Sequence, residues 1–389
     1  MIRRHISEKL YYYATKYPVV TLTGPRQSGK STLLRHLFPD YHYVSLEDPD
    51  ILLMAGEDPR LFLQQNPDKT IIDEAQRLPE LFSYLQSHID RENREGMYLL
   101  SGSQNFLMME RISQTLAGRT AILNLLPFSM KELDGHELLP DRADRMLLAG
   151  FYPRIYDKGL QPDEFYPFYT RTYLERDVRQ VKNITDMQQF TRFLKLCAGR
   201  TGQLLNLSSL ANDCGITQPT AKAWLSVLET SYVIYLLKPY YKNFNKRLTK
   251  SPKLYFLDTG LACSLLGISS EQALSLHHMR GALFESMIIS EVIKCFFNEA
   301  REPALWFWRD HTGNEIDLLL EESSGLYPVE IKSGLTYSSE YFRGLSYWRK
   351  LAPDSISNFT VVYGGDESRQ TPKGKLLPWR SVDELFEVP

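Results

Sequence analysis

Residues 24–31 read GPRQSGKS, and that stretch decides the fold of the first third of the chain. A short β-rich run, residues 17–23, leads into it, and residues 32–37 continue with helix-forming character. The pattern GxxxxGK[ST] between a strand and a helix is a phosphate cradle. Its glycines let backbone N–H groups curl around an anion, and the helix start adds partial positive charge. Gly24, Pro25, Arg26, Gln27, Ser28, Gly29, Lys30, Ser31 and Thr32 are therefore the expected nucleotide-binding set. Within it, Lys30 is placed to reach the β- and γ-phosphates of ATP, and Ser31 to ligate Mg²⁺.

A phosphate cradle needs acids to hold the metal and activate water. Residues 69–74 read KTIIDE, a buried strand ending in two carboxylates about 40 residues downstream. Asp73 falls where the metal contact belongs, and Glu74 where a base polarises the attacking water. Residues 96–103, GMYLLSGS, are a further buried strand, and residues 41–46 and 120–126 supply two more. Strands interleaved with helices imply a parallel sheet with right-handed crossovers. Arg119, just before the last strand, is an arginine-finger candidate, acting on a neighbouring subunit and so implying a homo-oligomer.

The segments GPRQSGKS (24–31), TIIDEAQRLP (70–79), LLSGSQNFLM (99–108), LAGR (116–119), LLPFSMKEL (125–133) and GFYPR (150–154) resemble a family of prokaryotic AAA-type ATPases. Many of its members carry a C-terminal domain of unknown function. The resemblance covers nearly the whole chain. By analogy with P-loop ATPases that have a catalytic glutamate, it implies strand order 5-1-4-3-2. It also implies a polar sensor at the end of the 96–103 strand, with Ser103 and Gln104 as candidates.

The middle of the chain has a different texture. Residues 166–182 are rich in charge and aromatics and are expected to be helical, as part of a lid. Residues 206–215 (NLSSLANDCG) read as a Ser-capped helix ending at glycine, and a second helix covers 221–230. Two short helices at this spacing resemble a helix-turn-helix, with residues 232–237 and 253–257 as the strands of a wing. Between 238 and 253 lie Lys238, Lys242, Lys246, Arg247, Lys250 and Lys253, with no acid and with Tyr240, Tyr241 and Phe244 interleaved. Basic residues mixed with aromatics suit a nucleic-acid backbone. Lys242, Lys246, Arg247 and Lys250 are the expected DNA contacts; a solvated hairpin or a protein-docking wing is the alternative.

The last third contains an apolar helix with Glu285 (280–296), a strand at 305–308, a strand with Asp317 at its middle (314–320), and YPVEIK at 327–332. In a strand, Glu330 and Lys332 share one face. Helix-Glu, strand-Asp, then Glu-x-Lys resembles the PD-(D/E)xK nuclease superfamily, although the dipeptide before the site is Ile316-Asp317 rather than Pro-Asp. That resemblance implies Asp317 and Glu330 as metal ligands, Lys332 as the water-positioning lysine and Glu285 as an accessory carboxylate. The alternative is a degenerate domain whose Glu330–Lys332 pair is structural.

The expected architecture is α/β: a P-loop AAA-type ATPase core (1–155), a helical lid (156–200), a winged-helix region (201–272) and a restriction-endonuclease-like domain (273–389). The expected function is Mg²⁺-dependent ATP hydrolysis coupled to action on DNA. Two alternatives stay open: a switch or assembly ATPase whose C-terminal domain binds without cutting, and a DNA-binding regulator using the wing. Composition agrees with a globular protein: 43% hydrophobic, 24% charged and net charge -2 over 389 residues. Cys197, Cys214, Cys263 and Cys295 are widely spaced, so neither zinc nor a disulfide is expected. No signal peptide and no apolar run of membrane-spanning length is read, and a cytoplasmic location is expected.

Overall fold

The computed structural model describes residues 2–103, 112, 114–174, 186–240, 250–322, 325–352 and 359–386. The chain divides into two compact units. One holds Met1–Phe128 with Thr230–Tyr232 and Phe296–Arg301; the other holds Ser129–Glu229, Val233–Cys295 and Glu302–Pro389.

The first unit is built on a parallel sheet of β1 (Val19–Gly24), β2 (His42–Ser45), β3 (Thr70–Asp73), β4 (Tyr98–Ser103) and β5 (Thr120–Asn124), in spatial order β2-β3-β4-β1-β5. This is the order 5-1-4-3-2. Every residue of β1 is buried, as befits a parallel strand covered on both faces. Its side chains alternate between two cores. Val19 joins Val44, Ile72, Leu100 and the helices Pro49–Glu57, Pro59–Gln65 and Leu81–Glu92. Val20 and Leu22 join Ile71, Leu99 and the helices Ser7–Ala14 and Lys30–Leu37. The carboxyl ends of β1, β3 and β4 lie side by side: Gly24 pairs with Ser103 in register, and Asp73 closes β3. Open α/β sheets bind ligands at that edge.

In the second unit, the helix expected over 166–182 starts earlier, at Pro162, and its α-helical part ends at Tyr169, giving way to a π-helical turn, Thr170–Leu174. Pro167 sits inside it and lacks the N–H that a regular ladder needs. Residues 175–185 lie outside the described residues. Helices Met187–Ala198, Leu207–Cys214 and Gln218–Thr230 follow. The second of these is capped by Asn206, whose side chain accepts from Ser209 N–H at 3.0 Å, and not by a serine. It ends at Gly215 (φ 75°), as expected. A small antiparallel sheet comes next, with β8 (Lys253–Phe256) central between β6 (Gln203–Leu204) and β7 (Ile234–Leu237).

After the short helices Thr259–Leu265 and Glu271–Leu276 comes the helix Arg280–Asn298, of which this unit holds the part up to Cys295, and then β9 (Leu305–Arg309), β10 (Glu315–Glu322) and β11 (Gly325–Lys332). These three strands are antiparallel. The helix Arg343–Leu351 crosses over to β12 (Thr360–Tyr363), parallel to β11, and β13 (Arg369–Thr371) and β14 (Gly374–Pro378) complete a six-stranded sheet. Trp308, Ile316, Leu319, Leu345, Trp348 and Val361 fill its core. The pairing of β9 with β10 slips between Ile316 and Leu319, a bulge that contains Asp317. Bulges re-aim a side chain and are common beside functional sites.

Among the described residues no helix is long and apolar enough to cross a membrane. Cys197, Cys214 and Cys263 are buried thiols.

Candidate functional site

The 24–31 loop takes the shape its sequence demands. Gly24 has φ +149°, and a Cβ there would collide with the carbonyl oxygen of Leu125. Gln27 (φ 61°) and Gly29 (φ 93°) are both left-handed, a curl that turns successive N–H groups inward. The helix Lys30–Leu37 starts from Gly29 with no side-chain cap. Lys30 is buried, and its Nζ donates to Gly24 O at 3.0 Å and Pro25 O at 2.8 Å, across the mouth of its own loop. Ser28 Oγ and Gln27 Oε1 are buried with no hydrogen-bond partner among the described residues. Ser31 is half-buried, and Thr32 is exposed beside it.

Behind the loop stands a residue that sequence reasoning missed. Arg4 is buried and donates to Ser28 O (2.9 Å) and Leu126 O (2.6 Å), with its guanidinium over the Phe128 ring. An arginine near a chain start carries no signal that would have singled it out.

Asp73 ends β3 with both oxygens engaged. Tyr43 OH donates to Oδ2 at 2.6 Å, and Ser101 Oγ to Oδ1. Glu74 follows in a left-handed conformation (φ 53°), which is costly for a residue with a side chain. Gln76 Nε2 donates to its Oε2. Burial pushes the Glu74 carboxyl up from its ordinary value, against the opposing charges of Arg26 and Lys30. A hard cation with oxygen ligands suits the donors here, the Ser31 hydroxyl and the Asp73 carboxylate.

Ser103 is brought to this edge by its pairing with Gly24; Gln104 lies outside the described residues. Arg119 is turned onto Asp90, with Nε on Oδ1 at 2.5 Å and Nη2 on Oδ2 at 3.0 Å.

A second cluster lies in the other unit. Glu315 and Asp317 share a face of β10, and an oxygen of each lies within 4.8 Å of one from Glu285 on the Arg280–Asn298 helix. Sequence reasoning passed over Glu315, although two acids at i and i+2 of a strand point the same way. Asp317 Oδ2 accepts from Ile331 N–H (2.8 Å) and Lys332 Nζ (2.9 Å), and Lys332 also donates to Glu330 Oε2 at 2.5 Å. Asp317, Glu330 and Lys332 are thus together. Glu330 is not one of the three clustered carboxylates but adjoins them, touching both the Lys332 ammonium and the Asp317 carboxylate. Burial raises Asp317, but Lys332, Lys253 and the Ile331 N–H outweigh it and hold the carboxyl at about 2. Burial and the Asp317 charge push Glu330 up to about 9.

Lys253 is the main departure from the sequence-based expectation. Counted there among the basic residues of the 238–253 stretch, it is only 3% exposed. Its Nζ donates to Glu285 Oε1 at 3.1 Å and pairs with Glu315 Oε1. Two residues on, Tyr255 OH donates to the same Glu285 oxygen at 2.5 Å. Burial lowers the Lys253 pKa, but Glu285, Glu315 and Asp317 overcome this and raise it above the ordinary lysine value. Four acidic side chains, Glu330 among them with its raised pKa, therefore face two ammonium groups, with Arg309 also on Glu315 at 3.1 Å. These residues do not fit a resident divalent cation: two of the three clustered carboxylates already hold Lys253. Of the expected nucleic-acid contacts, Lys250 is exposed; Lys242, Lys246 and Arg247 lie outside the described residues.

Three family profiles match the chain. An AAA domain matches residues 16–134, and two domains of unknown function (DUF8612 and DUF4143) match residues 140–272 and 280–382. Uncharacterized protein Mb2031c of Mycobacterium bovis and uncharacterized protein Rv2008c of Mycobacterium tuberculosis are each 31% identical over 398 residues, covering 99% of this chain and 87% of theirs. Among solved structures, a Walker-type ATPase of Pyrococcus abyssi aligns with TM-score 0.47 and 17% identity, covering 68% of this chain and 96% of that one. With its phosphate loop, its Asp73–Glu74 strand end and relatives that match it almost end to end, the chain belongs to the prokaryotic AAA-type P-loop ATPases that carry a C-terminal domain of unknown function.

Proposed function

We propose that the chain binds Mg-ATP at residues 24–32 and hydrolyses it, using the second unit as its output. The observation that carries this reading is the placement of Glu74: a half-buried carboxyl that directly follows Asp73 at the end of β3 and feels the charges of Arg26 and Lys30. A carboxylate that directly follows the metal-side acid is placed to accept the proton of an attacking water. Lys30 and the inward N–H groups of the loop bind phosphate oxygens. Ser31 and Asp73 would hold Mg²⁺, which supplies charge neutralisation at the phosphates. Ser103 and Gln104 serve as the sensor, and Arg119 leaves Asp90 to act on a neighbouring copy.

In this reading the chain is organised as an ATPase core (1–155), lid (156–200), winged helix (201–272) and nuclease-like domain (273–389). Helices Leu207–Cys214 and Gln218–Thr230 followed by antiparallel β7 and β8 support the winged helix. The output is a switch or assembly contact, because Lys253 and Lys332 already satisfy the acids that a nuclease would give to metal.

A second reading, coupling of hydrolysis to cleavage of DNA, is favoured by one observation. The helix–β9–β10–β11–helix–β12 order places Asp317, Glu330 and Lys332 together.

Phosphate release and plasmid nicking measured in the same tubes separate these. Hydrolysis lost in Lys30→Ala and Glu74→Gln, with no nicking by wild type, is the expected result. Hydrolysis unaffected by either substitution overturns the ATPase reading. Nicking that disappears in Lys332→Ala while hydrolysis continues establishes the second.

A further inference from the structure

The carboxylates Glu285, Glu315 and Asp317 come from the Arg280–Asn298 helix and from β10. The cation among them comes from elsewhere. β8 is the central strand of the small antiparallel sheet, and its odd-numbered residues Lys253 and Tyr255 both reach Glu285. Lys253 is the first residue of that strand, held by pairing with Leu237 on β7 and Leu204 on β6. Its ammonium meets Glu285 and Glu315 at once. Buried carboxylates without a counter-charge are costly, and removing one partner of such a group leaves the others exposed to that cost. A divalent ion drawn to the same oxygens would also have to approach a fixed ammonium, which repels it.

We infer that Lys253 is the resident counter-cation of the Glu285–Glu315–Asp317 cluster, and that a divalent ion enters only by taking its place. The strand that precedes the C-terminal α/β fold thus locks the site against metal. The lock agrees with the switch reading; under the second reading, a metal-dependent cut would first require Lys253 to leave the cluster.

The test is Mn²⁺ binding to the full-length chain without nucleotide, so that the phosphate loop contributes no nucleotide-held metal. Titration is followed by calorimetry and by the electron paramagnetic resonance signal of free Mn²⁺. Lys253→Met is expected to bind one Mn²⁺ at least about tenfold more tightly than wild type. The gain should vanish in Lys253→Met/Glu315→Gln. Without metal, Lys253→Met should melt below wild type and recover as Mn²⁺ is added, because a ligand of the folded state alone stabilises it. Equal Mn²⁺ affinity in wild type and Lys253→Met overturns the inference. If the variant does not fold, wild type alone decides. Tight Mn²⁺ binding that Asp317→Asn abolishes shows an open metal site and refutes the lock; no such binding upholds it. DNA cleavage does not enter the measurement, so its absence leaves this result standing.

Discussion

Tyr43 on β2 donates its phenol to Asp73 Oδ2 at 2.6 Å, and Ser101 on β4 donates to the other oxygen, so the carboxylate that ends β3 is oriented from both sides. Groups that orient a metal ligand affect metal affinity by roughly 10–100-fold when removed. Tyr43→Phe should raise the Mg²⁺ concentration needed for half-maximal phosphate release by about tenfold, with little change at saturating Mg²⁺. A Mg²⁺ titration of hydrolysis checks it; an unchanged half-saturation point would separate Tyr43 from metal binding.

Glu74→Gln keeps the shape of the residue and removes its basicity. Hydrolysis should fall by about 10²–10⁴-fold, the usual worth of a positioned base. Binding of a fluorescent ATP analogue should persist, because the loop at 24–31 and Lys30 are untouched. Loss of binding and turnover together would assign Glu74 to binding.

Arg119 and Asp90 form an exposed pair, so Arg119→Ala should leave the melting temperature essentially where it is. Its effect should appear in turnover, and mixing should reveal it. Lys30→Ala subunits, inactive themselves but still carrying Arg119, should restore part of the hydrolysis of Arg119→Ala subunits. No restoration at any mixing ratio would confine Arg119 to its own surface.

Asp310 anchors the turn between β9 and β10. Its oxygens accept from Thr312 N–H and Oγ1, Asn314 N–H and Nδ2, and Tyr347 OH. Although burial opposes it, these bonds hold the carboxyl well below its ordinary value. A depressed carboxyl stabilises the fold above its unfolded pKa, and that contribution is lost as pH falls towards the folded value. Asp310→Asn should therefore cost about 2 kcal/mol at neutral pH, and the gap to wild type should narrow below about pH 4. Denaturant melts at several pH values test this; a gap that widens on acidification contradicts it.

The nucleotide edge was legible because its chemistry is contiguous. Gly24 through Ser31 form one loop, and the acids Asp73 and Glu74 stand together where one apolar strand ends. Strands buried on both faces write themselves as apolar runs, so β1, β3 and β4 stood out. Smaller features were harder. Asn206 and the serines after it can all cap a helix, and only the fold shows that Asn206 does so. The change after Tyr169 to a π-helical turn falls within a segment whose composition is otherwise helical.

Sequence alone determined the phosphate loop, the Asp73–Glu74 pair, the parallel sheet and the Glu330-x-Lys332 face, because each is set by spacing along a single element. Tertiary structure decided what surrounds them. Arg4 reaches Ser28 across 24 residues, and Lys253 reaches Glu285 and Glu315 from a different sheet. A lysine in a basic stretch looks solvated until strand pairing buries it, and no local pattern records which carboxylates it will then meet.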